Sequence, residues 1–145
     1  MTSYGNDAQT VARRWFEEVW NARRYDAIEE LMAPDALGHV EGQEIQGPAE
    51  FRKMQAMFLS ALPDVRIEIE DVLGEGERAA VRWRASGTHG GDGFGFRATH
   101  APFEVRGTTW MTVRNGQIVE GFDTWNLGGL LISLQSAATE SEDPC

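Results

Sequence analysis

Apolar side chains return every third or fourth position through Val11, Trp15, Phe16, Val19 and Trp20. This predicts an amphipathic helix capped by Asn6 or Asp7 and ending near Asn21 and Ala22. Ile28, Leu31 and Met32 mark a shorter helix from Asp26 to Met32 that Pro34 stops, followed by a short extended piece, Leu37-Gly38-His39-Val40. Gly47-Pro48 opens a third helix, with proline at the first helical position and Phe51, Met54, Met57, Phe58 and Leu62 as its buried stripe. Pro63 ends it.

Beyond Pro63 the hydrophobic period falls from 3.6 to 2. Val65, Ile67 and Ile69 alternate with Arg66, Glu68 and Glu70, then turn at Gly74-Glu75-Gly76-Glu77 into a second strand, Ala79 to His89. After a glycine-rich loop, Gly90 to Gly95, which could cover a pocket mouth, come two longer strands. These are Phe103 to Val113 and Gln117 to Trp125, joined by the hairpin signal Asn115-Gly116. Leu127 to Leu134 is apolar enough to form a final turn or strand, and Gln135 to Cys145 reads as a frayed polar tail. Helices first and strands after predict an α+β fold: a curved, cone-shaped antiparallel sheet against three N-terminal helices, enclosing a pocket. One domain spans residues 1–145, with its ordered core at about 6–134.

Asp123 stands out in this pattern, because aspartate is depleted from strands and costly to bury when charged. A plain two-residue turn at Asn115-Gly116 would set Asp123 on one face with Arg106 and Thr108. A type I turn with Gly116 in a left-handed bulge would instead group Asp123, Gly121, Val119 and Trp125 with Val105, Gly107, Thr109, Met111 and Val113. The second face is apolar, so patterning favours an inward Asp123, where desolvation would raise its pKa toward neutrality.

The composition narrows the partners. A formal charge of −10 over 145 residues, 41% of them hydrophobic, disfavours nucleic acid and anionic membrane and suits a neutral, aromatic or cationic small molecule. No run approaches the roughly 20 apolar residues of a membrane span. The lone Cys145 and the absence of a leader pattern suggest a soluble, cytoplasmic protein in a reducing compartment. None of the three histidines falls into a metal-ligand spacing, and no phosphate loop, dinucleotide fingerprint or nucleophile elbow occurs, so neither metal nor cofactor is expected. The candidates for chemistry are Asp123 as acid/base, and His89 and His39 as oxyanion stabilisers or second proton carriers. Trp83, Thr109, Met111 and Trp125 are the expected substrate contacts, and His100 reads as a loop residue. Five tryptophans favour mainly structural roles, with Trp83 and Trp125 nearest the presumed pocket.

In order along the chain, several segments resemble the SnoaL-like polyketide cyclases and ester cyclases of the nuclear transport factor 2-like superfamily. They are Val11 to Asn21, Leu31 to Asp35 with Pro34, Gly47-Pro48, Gly87-Thr88-His89, Asn115 to Glu120, and Phe122-Asp123-Thr124-Trp125-Asn126-Leu127-Gly128. The resemblance implies that an aspartate on the last strand, here Asp123, removes a proton from carbon beside a carbonyl, giving an enolate that closes a ring by aldol attack. It also implies a homodimer through the outer sheet face, here Arg82, Arg84, Arg106, Thr108 and Trp110. Two departures are plain. Thr109 stands where the cyclase pattern has a histidine, and Phe96 to Pro102 replaces the usual short Pro-Pro-Thr-Gly-like turn.

The expected function is therefore cofactor-free acid/base catalysis of the cyclase, lyase or isomerase type on an apolar or carbonyl-bearing molecule. The alternatives are a non-catalytic binding or dimerisation module, or an isomerase, dehydratase or epoxide hydrolase on the same fold; only Tyr4 and Tyr25 could supply a phenol. An enclosed cavity of several hundred Å³, with Asp123 and a histidine converging on one point, would favour catalysis.

Overall fold

The computed structural model describes residues 7–40 and 42–141. Asn6, Cys145 and the end of the polar tail lie outside the described residues. Six strands form one sheet in the order β2-β1-β6-β5-β4-β3. They are β1 (Met32–Val40), β2 (Gln43–Gln46), β3 (Arg66–Glu75), β4 (Arg78–Thr88), β5 (Pro102–Arg114) and β6 (Gln117–Trp125). All neighbours are antiparallel except β1 and β6, which run parallel. The sheet curves around helices α1 (Asp7–Arg14), α2 (Asp26–Leu31) and α3 (Gly47–Ala61), an α+β cone, and a fourth helix, α4 (Leu127–Ser141), follows β6.

The first helix follows the predicted span but changes character within it. From Trp15 to Asn21 it is a π-helix, with Ala22 N–H donating to Glu17 O at 2.9 Å. The wider turn brings positions four and five apart onto one face, so Trp15, Phe16 and Trp20 all reach the cone interior. Carbonyls displaced by the wider ladder find other donors: buried Gln55 donates to Val19 O at 3.1 Å, and Arg23 bonds Trp20 O. Asn21 clamps the end of the helix to β3 by exchanging two 2.7 Å bonds with Ile67.

Pro34 does not separate helix from loop as expected. The helix ends at Leu31 and β1 starts at once, holding Pro34 in a stretch where pairing with β6 is interrupted between Met32 and Leu37. A proline is tolerated there because its missing N–H falls in the gap of the ladder. The Pro34 carbonyl fixes the next junction too: a Cβ on Gly47, whose φ is +76°, would stand 2.7 Å from Pro34 O. Only glycine starts α3 at that place.

The register that turns Asp123 inward is real, but it arises differently from the expected bulge at Gly116. Asn115 (φ 54°) and Gly116 (φ 78°) make a two-residue hairpin turn with Arg114 opposite Gln117, as in a type I′ turn. The extra residue is Val119, between the pairs Val113–Ile118 and Thr112–Glu120. Ile118 therefore takes the buried place expected for Val119, and past the bulge Gly121, Asp123 and Trp125 stand opposite Met111, Thr109 and Gly107.

The end of the chain departs most from expectation. Residues 127–141 form a helix rather than a final turn or strand with a frayed tail. Asn126 caps it, its Oδ1 accepting from Gly129 N–H at 2.8 Å, and Leu130 and Leu134 are buried on its inner side.

Candidate active site

The space between the helices and the concave face of the sheet holds a cavity of about 120 Å³, open on one side. That is smaller than expected and close to the size that admits one aromatic ring. A larger ligand has to extend through the mouth. Its walls are the aromatic residues of the π-helix, Phe51, Phe58, Phe103, Trp83 and Trp125, with aliphatic residues of α3, β3 and α4. Besides the tryptophan N–H groups, the polar side chains lining it are Asp123, Thr109 and Gln43.

Asp123 meets this apolar wall from the middle of β6, half-buried. Its Oδ1 accepts a 2.6 Å hydrogen bond from the hydroxyl of Thr109, directly across the ladder on β5. That hydroxyl in turn accepts a 2.9 Å bond from the indole N–H of Trp83 on β4. With an indole able only to donate, the Thr109 proton is forced toward Asp123. The three residues form a chain with one polarity.

Two influences set the acidity of Asp123. Burial raises its pKa, the Thr109 bond opposes the rise, and the balance leaves it pushed up to about 6. A carboxyl near that value is ionised at neutral pH yet strong enough as a base to exchange protons with carbon acids. Close neighbours hold the chain in place: a Cβ on Gly107 would stand 2.4 Å from the Trp83 ring, so the missing side chain is what lets that indole lie across β5.

Neither predicted histidine comes to this point. His89 is fully buried at the end of β4, but among the described residues it does not line the cavity. Its Nδ1 accepts from Thr99 N–H at 3.1 Å and lies 2.9 Å from the Thr99 hydroxyl. Its backbone bonds Ala101 and His100, and Phe94 and Phe96 flank the ring. This histidine ties down the loop. Burial lowers its pKa, opposed by Asp92 and reinforced by His100. The loop packs against the end of α3, and none of its residues 90–101 lines the cavity. Gly91 N–H bonds Ala61 O at 3.1 Å, a Cβ on Gly93 would strike Met57 O, and Phe94 meets Phe58 edge-on.

His39 points the other way. On β1 it pairs with Phe122 and stacks on that ring at 4.4 Å, between Glu44 (3.1 Å) and Glu120 (2.8 Å) on the outer face of the sheet. Alternation along β6 explains this, because residues flanking Asp123 must face away from it. Met111 is core, 2% exposed and not part of the cavity wall, whereas Thr109, Trp83 and Trp125 stand where expected. His100 is in the loop, at φ 59°. Sequence reasoning missed Gln43 and the α4 residues Leu127 and Leu130. The leucine spacing after Asn126 was a usable signal; for Gln43 none existed, since its place depends on β2 folding back beside β1. Among the described residues no group of three or more His, Cys, Asp or Glu side chains could hold a metal ion, and no helix is long and apolar enough to cross a membrane.

The family model for SnoaL-like polyketide cyclases matches residues 10–134. The chain belongs to this family. No curated protein matches it in sequence. Among solved structures, a candidate SnoaL-like polyketide cyclase from Jannaschia sp. CCS1 is similar over 92% of this chain and 95% of its own, with 21% identity and a TM-score of 0.84. AclR, a candidate hydroxylase from Streptomyces galilaeus, is similar over 91% and 98%, with 23% identity and a TM-score of 0.79. IdmH, a candidate polyketide cyclase from Streptomyces antibioticus, is similar over 91% and 98%, with 22% identity and a TM-score of 0.76. At these identities the likeness shows the nuclear transport factor 2-like cone. The chemistry has to be argued from the site.

Proposed function

We propose that this SnoaL-like protein is a cofactor-free cyclase-type enzyme for a small apolar, carbonyl-bearing molecule, with Asp123 as its acid/base. The observation that carries this reading is a lone carboxylate in an aromatic cavity, oriented by Thr109 and Trp83 and raised to about 6. In the reaction, the Asp123 carboxylate takes a proton from carbon beside the carbonyl. The C–H electron pair becomes the enolate, whose carbon attacks a second carbonyl of the same molecule, and protonated Asp123 returns the proton to the alkoxide. Trp83 and Trp125 flank the substrate, and neither His39 nor His89 takes part.

Proton abstraction is testable without the natural substrate. Phenylacetone, one ring with an acidic C–H beside a ketone, should exchange deuterium into that position in D₂O faster with the protein than with buffer, as followed by NMR. Asp123→Asn should abolish the gain. Catalysed exchange that survives this substitution would assign the base elsewhere.

A second reading, a non-catalytic binding module, rests on two observations: the cavity is small, and Thr109 stands at the cyclase histidine position. It predicts saturable binding of apolar aromatics with no exchange.

The outer sheet face supports pairing of two copies. Exposed Trp110 lies opposite exposed Phe122, with His39 stacked alongside, while Arg82 and Arg106 are held by Glu70, and Arg84 by Glu68. Sedimentation velocity of wild type and Trp110→Glu checks it; a monomer in the wild type refutes it.

A further inference from the structure

We propose that Gln43 is a catalytic residue of this site, its side-chain amide donating a hydrogen bond to the carbonyl oxygen of the substrate as negative charge develops there. This rests on the preceding reading of Asp123 and supplies what that reading lacks. Removing a proton beside a carbonyl places charge on oxygen, and a cavity this apolar needs a donor for it. Thr109 cannot serve, because its proton is given to Asp123 and its orientation is fixed by Trp83. Trp83 is committed to Thr109 in the same way.

Among the described residues Gln43 is the remaining non-aromatic polar side chain on the cavity wall, exposed at the rim, and no hydrogen bond within that set engages its amide. The sheet sets its distance from the base. Gln43 pairs with Val40 on β1, and β1 lies parallel to β6 with His39 beside Phe122, so Val40 stands beside Asp123. Gln43 is therefore two strands from Asp123 at the same level of the cone, a separation of about 10 Å between backbones. Two inward side chains across that gap leave room for a C–H against the carboxylate and the adjoining C=O against the amide. The indoles of Trp15, Trp20 and Trp125, which also line the wall, are the competing donors. Their rings, however, pack into the aromatic wall, Trp15 and Trp20 on Phe51 and Trp125 on Trp83 and Phe58, whereas the Gln43 amide is free to turn toward the substrate.

The electron count is that of a simple enolisation. The C–H bond breaks toward Asp123, a C=C bond forms, and the carbonyl π pair moves onto the oxygen that Gln43 bonds; reprotonation reverses each change.

Two measurements test this. In phenylacetone exchange, Gln43→Leu should lower kcat about 10- to 100-fold, somewhat below the usual loss of an oxyanion donor because water reaches the rim. Gln43→Glu, which keeps the length but loses the donors, should be no better. In an Asp123→Asn background, which mimics the protonated acid facing an enolate, 4-nitrophenolate binding followed by its visible absorbance should weaken about tenfold on adding Gln43→Leu. Binding of 4-nitrotoluene, the same shape without the oxygen, should be unchanged. Exchange within twofold of wild type in Gln43→Leu, while Asp123→Asn abolishes it, overturns the role of Gln43 and leaves Asp123 standing. Loss confined to Trp125→Phe also overturns it. If the wild type exchanges nothing, the Asp123 reading fails, and the nitrophenolate measurement alone decides whether Gln43 binds an oxyanion.

Discussion

Replacing Asp123 by asparagine should stabilise this protein, and by an amount that depends on pH. The carboxyl is pushed up to about 6 from an ordinary 3.8, chiefly by burial in the aromatic cavity. Well below pH 3.8, both folded and unfolded chains hold the proton. Between about 4 and 6 the unfolded chain releases it first, so stability from this group is progressively lost as pH rises, and above 6 the loss is complete. Two pH units at about 1.4 kcal/mol each give roughly 3 kcal/mol. Asparagine has the shape of the protonated acid and can still accept from Thr109, but it has no charge to desolvate. The variant's advantage over wild type should therefore grow by up to about 3 kcal/mol between pH 4 and pH 7.5. For a chain of this size that is about 6–12 °C in melting temperature. Thermal denaturation of both proteins across this range measures it, and comparison at each pH cancels titrations they share, including that of His89. An advantage that stays constant or shrinks as pH rises would refute the claim that an ionised Asp123 is held against its solvation preference.

Two further changes probe the surroundings of the site. Thr109→Val keeps the shape but removes the bond that holds the carboxyl down, so Asp123 should rise by about 1–2 units above its present value, the worth of a charged hydrogen bond. A carbon-13 titration of the Asp123 carboxyl checks this, and an unchanged midpoint denies Thr109 its part. His89→Ala should cost about 2–4 kcal/mol through lost burial and a freed loop, with faster hydrogen exchange at the Thr99 and Ala101 amides. Because burial lowers the His89 pKa, its contribution is present in full above the ordinary 6.5 and is lost as pH falls through the lowered folded value. The variant should lack that acid-side decline.

Much of this protein was written locally. The helical stripes ending at Asn21 and beginning at Gly47-Pro48, the strand alternation from Val65 to Trp125 and the Asn115-Gly116 turn follow from side-chain period and backbone preference, which act within a few residues. The inward face of Asp123 was also legible, because an apolar cross-strand pattern tolerates only one parity. The device that sets that parity was not: the bulge moved from Gly116 to Val119, since a type I′ turn and a later extra residue give the same alignment beyond Gly121. The helix after Asn126 was missed because Gly128 and Gly129 weaken its intrinsic preference, and only burial of Leu130 and Leu134 against the cone makes it worth forming.

The site itself depended on long-range pairing. His39 and His89 had the right chemistry by type. The parallel pairing of β1 with β6 turned His39 to the outer face, and the loop from residue 89 to 101 wrapped around His89 instead of leaving it to the cavity. Gln43 came to the rim only through the fold-back of β2. Sequence alone settled which segments are helix or strand and which parity each strand presents, because those choices are made by neighbours along the chain. Which polar groups share one cavity was decided by strand order and by the bonds linking Trp83, Thr109 and Asp123, whose partners lie 26 and 14 residues apart and meet only when the sheet closes.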